Sequence, residues 1–231
     1  MRYLGGKHKI ARHIVPFMEM FYRRDHVTWV EPFMGACNTL ALAPGPRIGN
    51  DIDPDLVALF EAMQKGYEPP MTVTEDEYNL VKMNPTNFDP ELCGFMAFGC
   101  SFGGKKWGGF ARDSDGKNYA AVARRSLERK LARLTDVKFS CGSYLDLMIP
   151  PRSFIYCDPP YQDTQGYSVS FDHDVFWAWC RDQSSRGHTV LISEYSAPDD
   201  FETVTTSAQI TTLNKNHLHA RESIFKWSGS E

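Results

Sequence analysis

Ser153-Phe154-Ile155-Tyr156-Cys157-Asp158-Pro159-Pro160-Tyr161 is the stretch on which the reading of this chain turns. Its first five residues form a short run of aromatic and apolar side chains, the mark of a buried strand. An acid and two prolines stop that strand at once. Ligands of open α/β sheets bind past the carboxyl ends of the strands, so a motif placed here sits where chemistry is done. An ionised Asp158 offers only acceptor oxygens. Pro159 and Pro160 have no N–H, stiffen the turn and leave their carbonyls as its polar groups. Tyr161 adds a flat apolar face with a polar tip. A rigid set of acceptors beside a stacking surface suits a planar heterocycle with an exocyclic NH2 group. The plain alternative for the same residues is a tight turn capped by an aspartate.

Strands and helices alternate on both sides of this motif. HVTWVEPF (26–33) reads as a buried strand ended by Pro32 and Gly35, and a short apolar helix over Cys37–Ala43 is expected after it. Upstream, Ile10, Ile14, Phe17, Met18 and Phe21 have helical spacing over 8–22, with Pro16 as a kink or a break. RIGND (47–51) is a second strand. Asp53-Pro54 then opens a helix with the acid as cap and the proline at its first position; Leu56, Leu59, Phe60 and Met63 share one face and Gly66 ends it. VKFSC (137–141) and HTVLISE (188–194) are further strands, with a helix over 172–185 between them whose inner face carries Phe176, Trp179 and Cys180 and whose stop is Gly187. FETVTT (201–206), QITTL (209–213) and ESIFKW (222–227) close the chain as antiparallel strands. The expected fold is α/β, a mostly parallel sheet with helices on both faces. Residues 61–136 break the pattern. They are first polar, Pro-rich and acidic, then rich in Gly and aromatics, then basic and helical over 118–134. They read as an insertion between two parts of one core, 1–60 and 137–231.

The chain has 231 residues, 42% of them apolar and 23% charged, which suits one α/β domain of ordinary size and excludes a disordered chain. No apolar stretch approaches the ~20 residues of a membrane span, and the N-terminal residues show no signal-type core, so a soluble intracellular protein is expected. The six cysteines form no C-x-x-C pair and read as free, mostly buried thiols. His217 and His219 alternate without a second ligand pair, so no metal is expected. The net charge of −4 hides a segregation. Residues 101–133 carry nine Lys/Arg against three acids, and residues 1–26 carry six against two. Residues 50–91 carry ten acids against two bases. Two basic blocks on an acidic body fit a polyanion partner, although a solvated helix face has the same signature.

Four motifs together carry a family resemblance. Asp158-Pro159-Pro160-Tyr161 resembles the catalytic motif of the amino-methylating DNA methyltransferases. Val30-Glu31-Pro32-Phe33-Met34-Gly35 is similar to their cofactor-binding strand and loop, Tyr3-Leu4-Gly5-Gly6-Lys7 to their N-terminal cofactor segment, and Asp51-Ile52-Asp53-Pro54-Asp55-Leu56 to the acidic turn after the second strand. Their order, with an insertion before the last, is that of the DNA adenine methylase (Dam) family. The resemblance covers about residues 1–60 and 137–195. It implies a Rossmann-like class I methyltransferase fold, S-adenosylmethionine as cofactor, double-stranded DNA as partner, and a bacterial or phage-encoded protein of the bacterial cytoplasm, as in restriction–modification. It fixes no oligomeric state. Residues 61–136 would be a small helical target-recognition domain, but they do not match the tract by which GATC-specific Dam enzymes read their site, so the target sequence stays open.

The residues make chemical sense beside that resemblance. Tyr3, Lys7, Glu31, Phe33, Gly35, Asp51 and Asp158 would hold the cofactor. Lys7 would pair with its carboxylate. Asp51, at the end of the next strand, would accept the ribose hydroxyls, and Gly35 would let the ligand approach the backbone. Asp51 is preferred to Asp53, which has a competing task as helix cap. Asp158, Pro159, Pro160 and Tyr161 would be catalytic, with the Asp158 carboxylate and the Pro159 carbonyl taking the hydrogens of an adenine N6 amine. The base must leave the duplex for this, and Tyr161 would stack on it. Lys105, Lys106, Arg112, Arg124 and Arg125 would bind DNA, joined by Arg129, Lys130 and Arg133. Phe102, Trp107 and Phe110 would wedge or stack, or else form a small local core. The absence of a Pro-Cys dipeptide argues against cytosine C5 chemistry. Cytosine N4, RNA, a protein amide and a catalytically silent DNA-binding module remain alternatives. A nicotinamide or flavin oxidoreductase is disfavoured, because no G-x-G-x-x-G occurs.

Overall fold

A computed structural model describes residues 1–22, 26–161, 171–208 and 221–229. In chain order the elements are α1 (Ala11–Glu19), β1 (Trp29–Glu31), β2 (Arg47–Asp51), α2 (Pro54–Gln64), α3 (Glu75–Met83), α4 (Pro90–Gly94), α5 (Tyr119–Leu131), β3 (Val137–Cys141), β4 (Phe154–Cys157), α6 (His173–Ser185), β5 (Thr189–Glu194), β6 (Phe201–Ala208) and β7 (Arg221–Trp227). The seven strands form one sheet in the order β3-β2-β1-β4-β5-β7-β6. β1 to β5 run parallel, and β7 runs antiparallel to both its neighbours. This is the Rossmann-like α/β architecture expected from the sequence. The segment 209–213 and His217 and His219 lie outside the described residues.

Period-2 alternation in the central strands builds two cores. Trp29, Phe154, Tyr156 and Leu191 face one side, with α1, α2, α3 and α5; Val30, Ile155, Cys157, Val190 and Ile192 face the other, with α6. Helices therefore cover both faces. The helices of residues 61–136 share the first of these cores with α2 and the sheet. The start of that segment falls inside α2, which runs on to Gln64. The Gln64 side chain donates to the carbonyls of Leu134 at 2.6 Å and Val137 at 3.0 Å, pinning the place where the chain enters β3.

Most element starts follow from capping. Asp53 accepts from the N–H groups of Asp55 and Leu56, Pro54 needs no N–H partner at the first position, and Gly66 takes φ +98° at the exit. Asp172 caps α6 and Asn118 caps α5 in the same way. The break at Pro16 does not occur, and one expected helix is missing. Pro16 lies inside α1 without ending it, because Ala11, Ile14, Val15 and Met18 give the helix a buried face on both sides of the proline. The helix expected over Cys37–Ala43 is a run of irregular turns, with Cys37 at φ +53° and mixed bonds from Ala41 to Cys37 and from Leu42 to Thr39.

Candidate active site

In the sheet, successive connections run outward from β1 through β2 to β3 and, on the other side, from β4 to β5. The reversal between β1 and β4 leaves a crevice at their carboxyl ends. The loop after β1 and Asp158 to Tyr161 after β4 meet there. Together with Tyr3 to Lys7, Asp51 to Asp53, Gly104 to Lys106, Gly142 to Leu145 and Phe171, Asp172 and Val175 they line a cavity of about 390 Å³. That is the size of a small-molecule site.

Asp158 sits at the heart of it. Its Oδ1 accepts from Lys7 Nζ at 2.5 Å and from the Tyr161 hydroxyl at 3.0 Å, and Lys7 also donates to the Tyr161 hydroxyl. The Lys7 side chain is 2% exposed and that of Asp158 21%, so the lysine is sealed while the carboxylate reaches the cavity. The Lys7 ammonium stands 4.7 Å from the Tyr161 ring centre, and Tyr195, at the end of β5, packs against that ring at 4.8 Å and 69°. His173, the first residue of α6, donates through Nε2 to the Pro160 carbonyl at 3.1 Å. Of the two proline carbonyls in the turn, that of Pro160 is therefore engaged. Lys7, for which the sequence suggests a cofactor carboxylate, lines the cavity with its ammonium on Asp158 and Tyr161.

The second strand supplies the other acid. Asp51 Oδ2 accepts from the Gly35 N–H at 3.0 Å and Oδ1 from the Asp53 N–H at 3.1 Å. Burial lifts its carboxyl to about pH 6 despite those bonds. Asp53 caps α2 with Oδ1, as the sequence suggested, and offers Oδ2 to Lys106. Asn50, which sequence reasoning passed over, donates to the carbonyls of Pro32 at 3.1 Å and Gly142 at 2.9 Å and ties together the loops after β1 and β3. A buried amide at the end of a strand was the available signal.

Gly35 has φ +45°, and a Cβ there would lie 2.9 Å from the Tyr3 ring. The close approach that requires glycine is thus to Tyr3, which itself stacks on Phe98 at 5.2 Å. Phe33 lines the cavity and packs against Tyr144 at 5.2 Å and Phe171 at 5.7 Å. Glu31 does not line it. Its carboxyl is buried beneath the loop and accepts from Trp29 Nε1 at 3.1 Å and Thr39 Oγ1 at 2.8 Å; burial raises its pKa to about 8. Glu31 is a support of the cavity wall, because the end of β1 aims its side chain into the core. Ile52, Leu145 and Val175 are exposed at 62%, 52% and 41% and line the cavity. Exposed apolar side chains around a concave site, with acids at Asp51 and Asp158, are a donor set that fits an aromatic base, ribose hydroxyls and a cationic sulfur.

The basic insertion divides. Lys105 is exposed and so is Arg125. Arg112 is 72% exposed and pairs with Glu75. Three others fail the expectation of phosphate contacts. Lys106 turns inward to Asp53 at 2.6 Å and Asp55 at 3.2 Å. Arg124, 18% exposed, is held by Glu68, Glu128 and the Pro69 carbonyl. Lys130, half-buried, donates to the Ala36 carbonyl and to Asn38 Oδ1, and desolvation of its ammonium lowers its pKa to about 8. Trp107 and Phe110 form a local core around Tyr78, at 5.4 and 5.7 Å, whereas Phe102 is 70% exposed. All six cysteines are free thiols, and Cys141 alone is exposed. Among the described residues no group of three His, Cys, Asp or Glu side chains is placed to hold a metal, and no helix is long and apolar enough to cross a membrane.

No curated protein matches the chain in a sequence comparison. Among solved structures it aligns with SMU.472, "a putative methyltransferase complexed with SAH", at 10% identity and a TM-score of 0.34. That loose alignment covers 98% of this chain and 55% of the other, so the chain spans about half the length of that structure. The family model described as "D12 class N6 adenine-specific DNA methyltransferase" matches residues 3–87 and 107–226, which takes in Lys7, the loop after β1, Asp51 and the Asp158–Tyr161 turn. The chain belongs to the D12 class of N6 adenine-specific DNA methyltransferases.

Proposed function

We propose that the chain moves a methyl group from S-adenosylmethionine to the N6 amine of an adenine flipped out of duplex DNA. The observation that carries this reading is the position of Asp158: an acid directly past β4, at the reversal of the sheet, facing a cavity and oriented by a buried lysine. Family membership supports the choice of base and atom. S-adenosylmethionine supplies an electrophilic methyl group on a sulfonium sulfur.

The chain's own part is positioning and electrostatics. Asp51 accepts the ribose hydroxyls, Ile52, Leu145 and Val175 cover the cofactor's base, and Phe33 and Tyr3 form the walls beside the methionine portion. The Asp158 carboxylate and the Pro159 carbonyl accept the two amine hydrogens, which draws the nitrogen lone pair out of the ring. Pro160 holds the turn through His173, and Tyr161 offers its ring face to the extruded base. Base extrusion costs a few kcal/mol, so DNA contacts must supply it. We assign target recognition to residues 61–136, with Lys105, Arg112 and Arg125 on phosphates, and the catalytic part to 1–60 and 137–231. The work is placed in the cytoplasm, where DNA is at hand and thiols stay reduced.

Offering labelled methyl donor with DNA, RNA and protein in separate reactions tests the reading. Label in DNA alone, recovered as N6-methyladenine, is the expected result. Recovery as N4-methylcytosine, or label only in RNA or protein, would overturn it.

A further inference from the structure

The family match skips residues 88–106, and that gap takes in Gly104, Lys105 and Lys106, the part of the loop 101–110 that forms cavity wall. Ser101 and Phe110 pair across its base, the Phe102 N–H donates to the Gly109 carbonyl at 2.8 Å, and the Gly108 N–H donates to the Lys105 carbonyl at 3.0 Å. The Trp107 N–H anchors the far side on the Ala97 carbonyl at 2.9 Å. On the near side Gly104, at φ +72°, lies flat against the N-terminal segment: a Cβ there would stand 2.6 Å from the Arg2 carbonyl carbon and the Tyr3 nitrogen. The Leu4 N–H donates to the Gly104 carbonyl at 3.2 Å. The backbone of this loop is pinned, so its adjustable parts are the side chains at the tip.

Those side chains are two consecutive lysines with different fates. Lys105 is exposed. Lys106 turns in, with Nζ 2.6 Å from Asp53 Oδ2 and 3.2 Å from Asp55 Oδ2. Lys106 and Asp53 both line the cavity, one from the insertion and one from the turn after β2, so their ion pair joins two of its walls. An ion pair of this exposure contributes only ~0–1 kcal/mol to folding. Its location, bridging two walls of the cavity, gives it another use.

We propose that Lys106 is a latch on the cofactor cavity: its side chain swings off Asp53 and Asp55 to admit or release the cofactor and closes over it again. Lys105, at the exposed tip, takes a DNA phosphate, so the adjacent lysines serve different ligands. The inference rests on the reading of the cavity as a cofactor site and adds to it a residue from the basic insertion.

Stopped-flow release of S-adenosylhomocysteine tests it on the intact chain. Lys106→Gln is expected to speed release about tenfold, equivalent to ~1.4 kcal/mol. Asp55→Asn removes one arm of the latch without altering a cavity-lining residue; it is expected to speed release by a smaller factor and to add little to Lys106→Gln. In parallel, the salt dependence of DNA affinity should lose about one unit of slope in Lys105→Gln and none in Lys106→Gln. Release at the unaltered rate in both Lys106→Gln and Asp55→Asn would overturn the latch. So would a loss of slope in Lys106→Gln, which would make it a phosphate contact. Failure of the unaltered chain to bind S-adenosylhomocysteine at all would overturn the cofactor reading together with the latch.

Discussion

Glu31 ends β1 with its carboxyl closed in by Trp29 and Thr39, and burial carries its pKa from 4.5 to about 8. Folded chains therefore keep a proton that unfolded chains release in the window between those values. The native state binds more protons there, so this group's contribution to stability falls as pH rises through that window. Glu31→Gln keeps the shape and cannot ionise, so its melting temperature relative to the unaltered chain should climb steadily from pH 5 to 8. A difference that stays flat with pH would show that Glu31 is ionised in the fold. Sequence reading placed Glu31 on the cofactor because it stands in the Glu-Pro-Phe motif. Motif membership does not say which way a side chain points, and the last residue of a strand can face either the core or the crevice. The partners of Lys7 and Lys130 stay hidden in the sequence for a related reason: they lie far off in the chain, at Asp158 and at Ala36, and no local spacing reveals them.

Elements were legible where they carry their own start and stop signals. α2 could be read residue by residue from Asp53 to Gly66, and α6 from Asp172 to Gly187. α3 had as clear a signal, the Thr74–Glu77 capping box in which each side chain meets the other residue's backbone N–H, but it lay in a stretch that composition marked only as polar and acidic. The turns at Cys37–Ala43 were misread because their apolar residues serve a folded-over loop and not a helix face. How closely elements approach was not legible at all. At Gly94 in α4 an added Cβ would stand 2.1 Å from the Asp55 carbonyl oxygen at the start of α2. Backbone meets backbone there, with no flexible side chain to yield. Gly94→Ala should cost about 1–3 kcal/mol, read as a lower denaturation midpoint at unchanged slope. A midpoint within error of the unaltered chain would mean that α2 and α4 are farther apart.

On the scale of the whole molecule, one sheet brings together residues from both ends of the chain. Lys7 and Asp158, 151 positions apart, meet because β1 and β4 are neighbours and the N-terminal segment crosses their ends. The mostly parallel sheet with helices on both faces could be read from strand–helix alternation. The core that residues 61–136 share with the sheet could not, since its contacts are long-range. This assembly also decides how the central acid should be probed. Asp158→Ala strands the buried Lys7 ammonium and should cost about 1–3 kcal/mol, so lost activity in that variant would be ambiguous. Asp158→Asn leaves an oxygen for Lys7 and removes the charge that the amine hydrogens require. The most direct measurement is single-turnover methyl transfer to DNA by Asp158→Asn, with bound S-adenosylmethionine and an unshifted melting temperature verified first. A rate at least ~100-fold below that of the unaltered chain is expected. Transfer at the unaltered rate would contradict the account.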